Sequence, residues 1–577
     1  MCVRWLLSLA CFLAIIPIKV QAVESPNVLL ITLDGVRADR TGFLGGRMHL
    51  TPNLDRFAQD AIIFERAYAQ APSTWPSDAG ILTGTYPQLH RVIQFGVALP
   101  DTAAYLPDLL HAHGYHTAAF LASDLLDPWG SFARGFDSYD SGLRSDKRIA
   151  ASLLGMSAPR RTPALQVINH VLGWLQQNER APFFLWVHLD DANVPYGSCG
   201  PSSSLSYDHA ISCSDEAIGN LIEALRTRKL YDGALIIVAG NHGESLGAHG
   251  EDAHGVFLYD ESIHVPLLVK LPVRQFAGQH NASPVQLVDV APSILEVARL
   301  AVPPAMLGQS LLRAAKNPAA NRPAYARTEY ASRNFGWSAL ESWRSGNYLL
   351  IRAPQPRLYD LLKDHDGTNN LAHSNQAVFA TLATQLESFD RTMAGNSSSA
   401  PGNSSGLSSS ELQKLASLGY VGLERPSTTS GFDVSGIDPN DKIADVNSTD
   451  KAIVLLREGQ PGKSSEILEK VLANNPGAYL PLYQLALAEI AQKHFARAVG
   501  LLHQAIGLSP DSCMAHYAMG VALLQQGEWE TAVVHLEIAA AHLPQVAESH
   551  RLLADAYTHV GRQDDARRER AKAASLP

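Results

Sequence analysis

The chain has 577 residues, of which 46% are hydrophobic and 18% are charged, an ordinary balance for a globular protein long enough to form two or more domains. Its formal net charge at pH 7 is -10, and no basic stripe offsets this excess. We therefore expect no nucleic-acid partner, because binding to a phosphate backbone needs clustered Lys and Arg side chains.

The N-terminus has the parts of a secretory signal. A basic residue, Arg4, precedes an apolar run from Trp5 to Ile18, and the small residue Ala22 follows with Val20 two positions earlier. This pattern predicts a signal peptide over residues 1–22 and a secreted or periplasmic protein. An uncleaved membrane anchor is the alternative, although Lys19 shortens the apolar run.

Short apolar runs alternate with helical patterns from Val28 to about residue 310. The runs are Val28–Leu33, Thr117–Leu121, Phe183–Val187, Leu235–Val238 and Val265–Val269. Their length and their β-branched and aromatic residues predict an α/β domain, in which helices flank a mostly parallel sheet. Site residues are then expected where strands end, at the carboxyl edge of the sheet.

Three segments carry motifs beyond this general pattern: Asn27–Asp39, Ala71–Pro87 and Asn241–Gly250. Together they resemble the sulfatase branch of the alkaline phosphatase superfamily. The resemblance implies an alkaline-phosphatase-like hydrolase domain, and residues from about 323 to 375 look like the small antiparallel subdomain that closes sulfatase catalytic domains.

The turn Thr74-Trp75-Pro76-Ser77-Asp78 matches the family's Cys (or Ser)-x-Pro-Ser-Arg, whose first residue is oxidised to formylglycine. Threonine cannot be oxidised in this way, so we expect no formylglycine and not the usual sulfatase mechanism. Relatives with threonine at this position are phosphodiesterases, phosphatases and phosphoethanolamine transferases, in which a metal-bound alkoxide attacks phosphorus. Thr74 is therefore the expected nucleophile toward a phosphate or sulfate ester.

The resemblance also implies a divalent metal (Ca, Mn or Zn) held by Asp34, Thr74, Asn241 and His242. Gly35 stands where the family has a second Asp, and Asn241 stands where it has another. Because a hard divalent cation needs several charged oxygen ligands, we expect the metal to bind weakly or not at all.

Two further catalytic candidates lie in His188–Tyr196, which resembles the family's His-x-x-Asp-x-His-x-Pro-Tyr. His188 fits the first His. Asn193 stands at the second His, so proton donation is lost there while hydrogen bonding remains.

The candidate substrate contacts include Asp78, which replaces the Arg of the family's turn about one helical turn from Thr74. The alternative is an acid favoured by the helix dipole in a first turn. The other candidates, for substrate or a second metal, are His90, His249 and His254. The alternative for each histidine is a structural hydrogen bond.

Three cysteines follow the predicted signal: Cys199, Cys213 and Cys513. In an oxidising compartment Cys199 and Cys213 are close enough in sequence to close a small loop. Cys513 is expected to be a small buried residue in a helix.

Residues 394–440 are rich in Ser, Gly, Asn and Pro, which predicts a linker. Within this stretch, Leu412–Gly422 resembles a short helix and turn that often follows sulfatase-like domains.

After the linker, Pro476, Pro510 and Pro544 recur every 34 residues. This is the period of tetratricopeptide repeats, in which helix pairs stack through small residues. Their concave surface suits a peptide or protein partner, and a passive stabilising or dimerising appendage is the alternative.

The sequence thus predicts a signal peptide over residues 1–22, a sulfatase-like hydrolase domain over 23–393, a linker over 394–440 and tetratricopeptide repeats over 441–577. Two functions stay open. One is a metal-dependent hydrolase or transferase that acts on a phosphate or sulfate ester. The other is a catalytically impaired pseudoenzyme that binds or scaffolds partners through its repeats.

Overall fold

The computed structural model describes residues 25–94, 97–123, 132–141, 162–178, 182–194, 196, 206–317, 321–397, 407–418, 420 and 434–576. The predicted signal peptide and Cys199 lie outside these residues. Within the described part of the chain, no helix has the length and apolar character needed to cross a membrane.

The strands, in chain order, are β1 Val28–Leu33, β2 Ile62–Phe64, β3 Ala67–Tyr68, β4 His116–Leu121, β5 Ser138–Asp140, β6 Phe183–Leu189, β7 Leu235–Gly240, β8 His264–Val265, β9 Leu267–Lys270, β10 His280–Asn281, β11 Val285–Gln286, β12 Ala324–Thr328, β13 Leu340–Ser345, β14 Tyr348–Arg352 and β15 Arg357–Asp360. Eight of them form one sheet in the order β10-β2-β9-β7-β1-β6-β4-β5. A second sheet has three strands in the order β11-β3-β8. Strands β12 to β15 form a third sheet of four strands.

Strand β1 is the centre of the large sheet and pairs in parallel with β6 and β7. All six of its residues are buried. Because side chains alternate along a strand, Val28 and Leu30 enter one apolar cluster while Leu29 and Ile31 enter another. The continuous apolar run therefore fits a strand covered on both faces, which confirms the predicted mostly parallel α/β domain.

The predicted run Val265–Val269 is divided in the structure. Its first residue belongs to β8, whereas β9 begins at Leu267 and pairs antiparallel with β7. Pro266 separates the two strands, since proline has no N–H to donate to a ladder.

The helices of this part are α1 Pro52–Ala58, α2 Thr74–Thr83, α3 Pro87–His90, α4 Leu106–Ala112, α5 Ala164–Gln177, α6 Tyr207–Thr227, α7 Asp260–Ile263, α8 Val290–Val297, α9 Leu311–Lys316, α10 Tyr330–Phe335 and α11 Gln376–Ser397. The antiparallel subdomain expected near residues 323–375 is confirmed by β12 to β15. Its inner face packs against α11 through Trp343 and Leu386.

The C-terminal helices are α12 Ser409–Ser417, α13 Ile443–Arg457, α14 Pro461–Asn474, α15 Tyr479–Ala491, α16 Phe495–Leu508, α17 Cys513–Gln526, α18 Trp529–His542, α19 Ala547–His559 and α20 Gln563–Ser575. From α13 onward they form consecutive pairs, which confirms the predicted repeats. Gly520 shows why small residues recur: a Cβ there would lie 2.5 Å from Leu536.

The first repeat packs directly on the hydrolase part. Val446 and Ala478 belong to the same apolar cluster as Val28 of β1. Arg357 of β15 donates to Asp438 at 2.7 Å, and both side chains are buried, at 8% and 1% exposure. The linker prediction does not anticipate these contacts, because they join residues far apart in sequence.

The Arg357–Asp438 pair gives a test of this junction. Asp438→Ala leaves a buried guanidinium without its partner, so we expect a loss of about 3 kcal/mol in stability. Lower thermal stability and faster amide exchange over residues 434–441 would show it. The matched control is Asp564→Ala, which breaks an ion pair whose side chains are 78% and 75% exposed, and no measurable change is expected there. Equal effects of the two substitutions would contradict the assigned role of Asp438.

Candidate active site

The candidate site lies at the carboxyl edge of the large sheet. Leu33 is opposite both Leu189 and Gly240 in the register of β1, β6 and β7, so the residues that follow these strands meet. The structure brings six predicted site residues together here, each at most 8% exposed: Asp34, Thr74, Asp78, His188, Asn241 and His242.

Thr74 is the first residue of α2, as expected for a turn that leads into a helix. Ser73 before it is extended, and its side chain makes no capping hydrogen bond. The Thr74 hydroxyl donates to Asp34 Oδ2 at 2.8 Å and lies 3.3 Å from His242 Nε2. The hydroxyl thus lies at the positive end of a helix, with the Asp34 carboxylate as its acceptor and the His242 ring beside it.

Asp34 links the cluster. Its Oδ1 lies 2.7 Å from His242 Nε2, and its Oδ2 lies 3.3 Å from His188 Nε2. Burial alone opposes ionisation, but His242 and His188 outweigh it and hold the pKa of the Asp34 carboxyl well below its usual range. The carboxylate is therefore ionised, so it can accept hydrogen bonds and hold a cation.

His188 is fully buried and holds Asp34 from the side away from His242. Its Nδ1 lies 2.9 Å from Thr32 Oγ1 and 3.6 Å from Asp78 Oδ2. Burial lowers the pKa of His188, but Asp78 and Asp34 raise it to about 9. His188 is thus a buried cation between two carboxyl groups.

Asp78 points into the site, as its position one turn after Thr74 predicts. It is fully buried, and burial raises its pKa to about 7 against the opposing effect of His188. Its Oδ1 lies 3.5 Å from Asn241 Nδ2.

Asn241 is held by local hydrogen bonds. Its Oδ1 accepts from the backbone N–H of His242 at 2.7 Å, and its carbonyl accepts from the Ser77 hydroxyl. The side-chain oxygen that was predicted to hold a metal therefore already has a donor.

Gly35 explains why the family's second Asp is missing. Its φ is +71°, and a Cβ would lie 3.1 Å from the carbonyl oxygen of Ala192. An Asp at this position would need a strained left-handed backbone and a displaced neighbour.

Three of the four predicted metal ligands fit one ion. Ligands that share an ion with bonds of about 2.1 Å lie about 3 Å apart, and the donor atoms of Asp34, Thr74 and His242 are separated by 2.7 to 3.3 Å. Asp34 is the one carboxylate in this set. Among the described residues, no group of three or more His, Cys, Asp or Glu side chains forms a metal site. The strength of metal binding at these three donors stays a prediction.

Glu244 is a site residue that the sequence analysis missed. It is fully buried, and its Oε2 lies 3.1 Å from His254 Nδ1. The His254 ring in turn lies 4.3 Å from the His242 ring. Burial lowers the pKa of His254, but Glu244 raises it to about 9. The signal that marks Glu244 is its place in the motif Asn241–Gly250.

Three other predicted residues have different surroundings. His249 stacks on Tyr259 with ring centroids 3.5 Å apart. His90 accepts from the backbone N–H of Val92, and burial lowers its pKa to about 3. Asn193 accepts from the N–H of Val194. The roles of His90 and His249 toward substrate and of Asn193 in catalysis stay predictions.

The first repeat also borders the site. Asn447 of α13 donates to the carbonyl of Gly250 at 2.8 Å and accepts from the N–H of Asp252 at 3.2 Å. Burial raises the pKa of Asp450 to about 7, against the opposing effect of His254 and Arg457. The loop that carries His254 is therefore held by a helix of the repeats.

Comparison with known families finds matches to both parts of the chain. Residues 26–300 match the sulfatase family, and residues 250–392 match the C-terminal model of N-sulphoglucosamine sulphohydrolase. Tetratricopeptide repeat models match residues 449–512, 483–537 and 517–575.

The chain is similar to arylsulfatase K of Mus musculus, with 24% identity over 64% of this chain and 80% of that protein. It is also 24% identical to an ulvan-active sulfatase of Formosa agariphila, over 52% of this chain and 68% of the relative. Among solved structures, the phosphonate monoester hydrolase of Agrobacterium radiobacter has a similar fold, with a TM-score of 0.52 and 22% identity over 64% of this chain and 96% of the hydrolase.

The family matches and the sheet topology point to the same kind of fold. Residues 26–392 form a sulfatase-family domain with an alkaline-phosphatase-like fold, and tetratricopeptide repeats follow it over residues 449–575.

Proposed function

We propose that the sulfatase-family domain cleaves a phosphate or sulfate ester with the Thr74 hydroxyl as nucleophile. The observation that carries this proposal is the hydrogen bond that the Thr74 hydroxyl donates to Asp34 Oδ2 at 2.8 Å, with His242 Nε2 3.3 Å from the same oxygen. A nucleophile beside a base, at a helix N-terminus, is the arrangement that activates an alcohol.

In the first step, Thr74 Oγ1 forms a bond to the phosphorus or sulfur of the ester, and the bond from that atom to the alcohol oxygen breaks. The hydroxyl proton moves toward Asp34 Oδ2, which already accepts its hydrogen bond, as the new bond forms. The departing alcohol oxygen takes a proton from His254, whose Nδ1 is held by Glu244. In the second step, water releases the group from Thr74, or an acceptor alcohol takes it in a transfer.

Asp34, Thr74 and His242 are the residues that would hold a divalent ion. Such an ion lowers the pKa of a bound hydroxyl and offsets negative charge on the ester. His188 acts through Asp34, which it fixes from the buried side, and is therefore a positioning residue.

Phosphorus is the preferred reacting atom of the two. Thr74 stands where sulfatases carry formylglycine, and threonine at this position is the nucleophile of the relatives that act on phosphorus. The likeness in fold to a phosphonate monoester hydrolase is compatible with this choice, while the two sulfatase relatives keep sulfate esters as the second substrate class.

A specific observation favours a second candidate, a protein that binds an ester without cleaving it. Both carboxylate oxygens of Asp34 already face imidazole nitrogens, at 2.7 and 3.3 Å. Gly35 and Asn241 each stand where the family has an Asp, so two negative charges are missing. The positive charge of the two histidines then replaces part of the charge that a metal supplies. The repeats would then be the main binding surface of the protein, with a peptide or protein as partner.

We also propose that the protein acts in an oxidising compartment, secreted or periplasmic. Cys213 is disulfide-bonded, and disulfides persist mainly in such compartments. Cys513 is free and buried, as expected.

Substitution of the nucleophile tests the primary function. Thr74→Ala should lower turnover of aryl phosphate mono- and diesters and of aryl sulfates by at least about 10³-fold, because it removes the attacking oxygen. Thr74→Ser should retain activity. The matched control is Thr85→Ala, since Thr85 is also 8% exposed and is expected to change turnover little. Unchanged turnover in Thr74→Ala would exclude Thr74 as nucleophile.

Restoring the acidic residue that the family has at position 241 tests whether residue 241 binds the metal. Asn241→Asp should tighten binding of Mn²⁺ or Zn²⁺ by about 10-fold, because it adds an anionic ligand beside Asp34. Without metal the same change should lower thermal stability, since the new carboxylate lies near Asp78. Asn347→Asp, at an exposed position between β13 and β14, is the control and should change neither quantity. Equal metal affinity of Asn241→Asp and the parent protein in calorimetry would place residue 241 outside the ligand set.

A further inference from the structure

A short segment between the two domains lies on the repeats. We call residues 407–418 and 420 the docking segment. Its central part is α12, which begins with a capping box between Ser408 and Glu411. Leu407, Leu415 and Tyr420 are 5%, 0% and 4% exposed, although the surrounding sequence is rich in Ser, Gly and Asn. A segment of this composition buries three large side chains only by packing on something else.

The apolar side of the docking segment packs into the core of the repeats. Leu407, Leu415 and Tyr420 belong to one apolar cluster with residues of α15 to α19. The Tyr420 ring stacks on His503 of α16 with centroids 4.3 Å apart, and its edge faces His535 of α18 at 5.9 Å.

Charged side chains fix the orientation of the segment. Lys414 forms an ion pair with Glu537, and Glu411 lies 3.3 Å from His542 Nε2. Both partners lie on α18, so opposite charges match at two points along one helix.

These contacts define a face on the second helices of two successive pairs. His503, His535, Glu537 and His542 lie on α16 and α18, each the second helix of its pair. An amphipathic helix that places apolar anchors on such a face uses the helix-in-groove mode of peptide recognition.

The contacts have features of a reversible complex. Lys414 is 45% exposed and His542 is 30% exposed, so both ion pairs are open to water and to salt. The Tyr420 hydroxyl is buried, and it has no hydrogen-bond partner among the described residues. A buried hydroxyl without a partner weakens the association relative to one that is satisfied.

We propose that the face formed by α16 and α18 is a binding site for an amphipathic helix, and that the docking segment of the same chain occupies it reversibly. The segment is thus a built-in ligand, and another helix with the same pattern can bind only when the segment is released. This inference is independent of the ester chemistry at Thr74.

A labelled synthetic peptide with the sequence of residues 407–422 tests the proposal on the full-length protein. The parent protein should bind the peptide at least about 10-fold more weakly than the variant Leu415→Asp, in which a buried charge releases the internal segment. Ser410→Asp, at an exposed position of the same helix, is the control and should behave like the parent. Fluorescence anisotropy gives the affinities, and circular dichroism confirms that each variant is folded.

A charge exchange identifies the site. In the Leu415→Asp background, Glu537→Lys should weaken binding of the peptide, and a peptide with Lys414→Glu should regain it. Equal affinity of the peptide for parent and Leu415→Asp protein, or no binding to either, would overturn the proposal. A concentration-dependent dimer of the parent that Leu415→Asp dissociates would show that the segment docks on a second copy, which contradicts occupation within one chain.

Discussion

The alignment of three parallel strands is the constraint on which the site depends. Leu33 of β1 lies opposite Leu189 of β6 and Gly240 of β7, so the strands end together and the residues after them share one edge. Asp34 then meets His242, and His188 reaches it from within β6. Helix α2 adds Thr74 from a separate part of the chain. A one-residue shift in either pairing would turn these side chains to the other face of the sheet.

Charge balance around Asp34 sets what the site does. The carboxylate faces imidazole nitrogens of two histidines, and its negative charge is kept because they outweigh the effect of burial. Asp78 stands in the sequence where the family has Arg, and it faces His188. Because an acid replaces a base, we expect this site to bind an anionic ester less tightly than a sulfatase with that Arg. The same histidines that keep Asp34 ionised also compete with a metal for its oxygens. A modest change in the charge of the metal-binding side chains therefore separates a site that cleaves the ester from one that only binds it.

The sequence motifs predict those features of the structure that depend on neighbouring residues or on the order of strands in the sheet. The strands, the start of α2 and the convergence of Asp34, Thr74 and His242 follow from local patterns and strand order. The division at Pro266 concerns a single residue within an apolar run. Glu244 was missed because it lacks a distinctive spacing of its own, although it lies inside a motif. Contacts of Asn447 and Asp450 with the loop at residues 250–254 join two domains across a polar linker, and no local pattern encodes such a pairing.

The central claim is that Thr74 carries the transferred group, and trapping that intermediate tests it most directly. Full-length protein is mixed with an aryl phosphate, quenched in acid during turnover and digested, and the peptides are analysed by mass spectrometry. The account predicts a phosphoryl adduct on Thr74 that is absent from Thr74→Ala protein. Turnover with an adduct on another residue, or no turnover and no adduct with phosphate and sulfate esters alike, would contradict it.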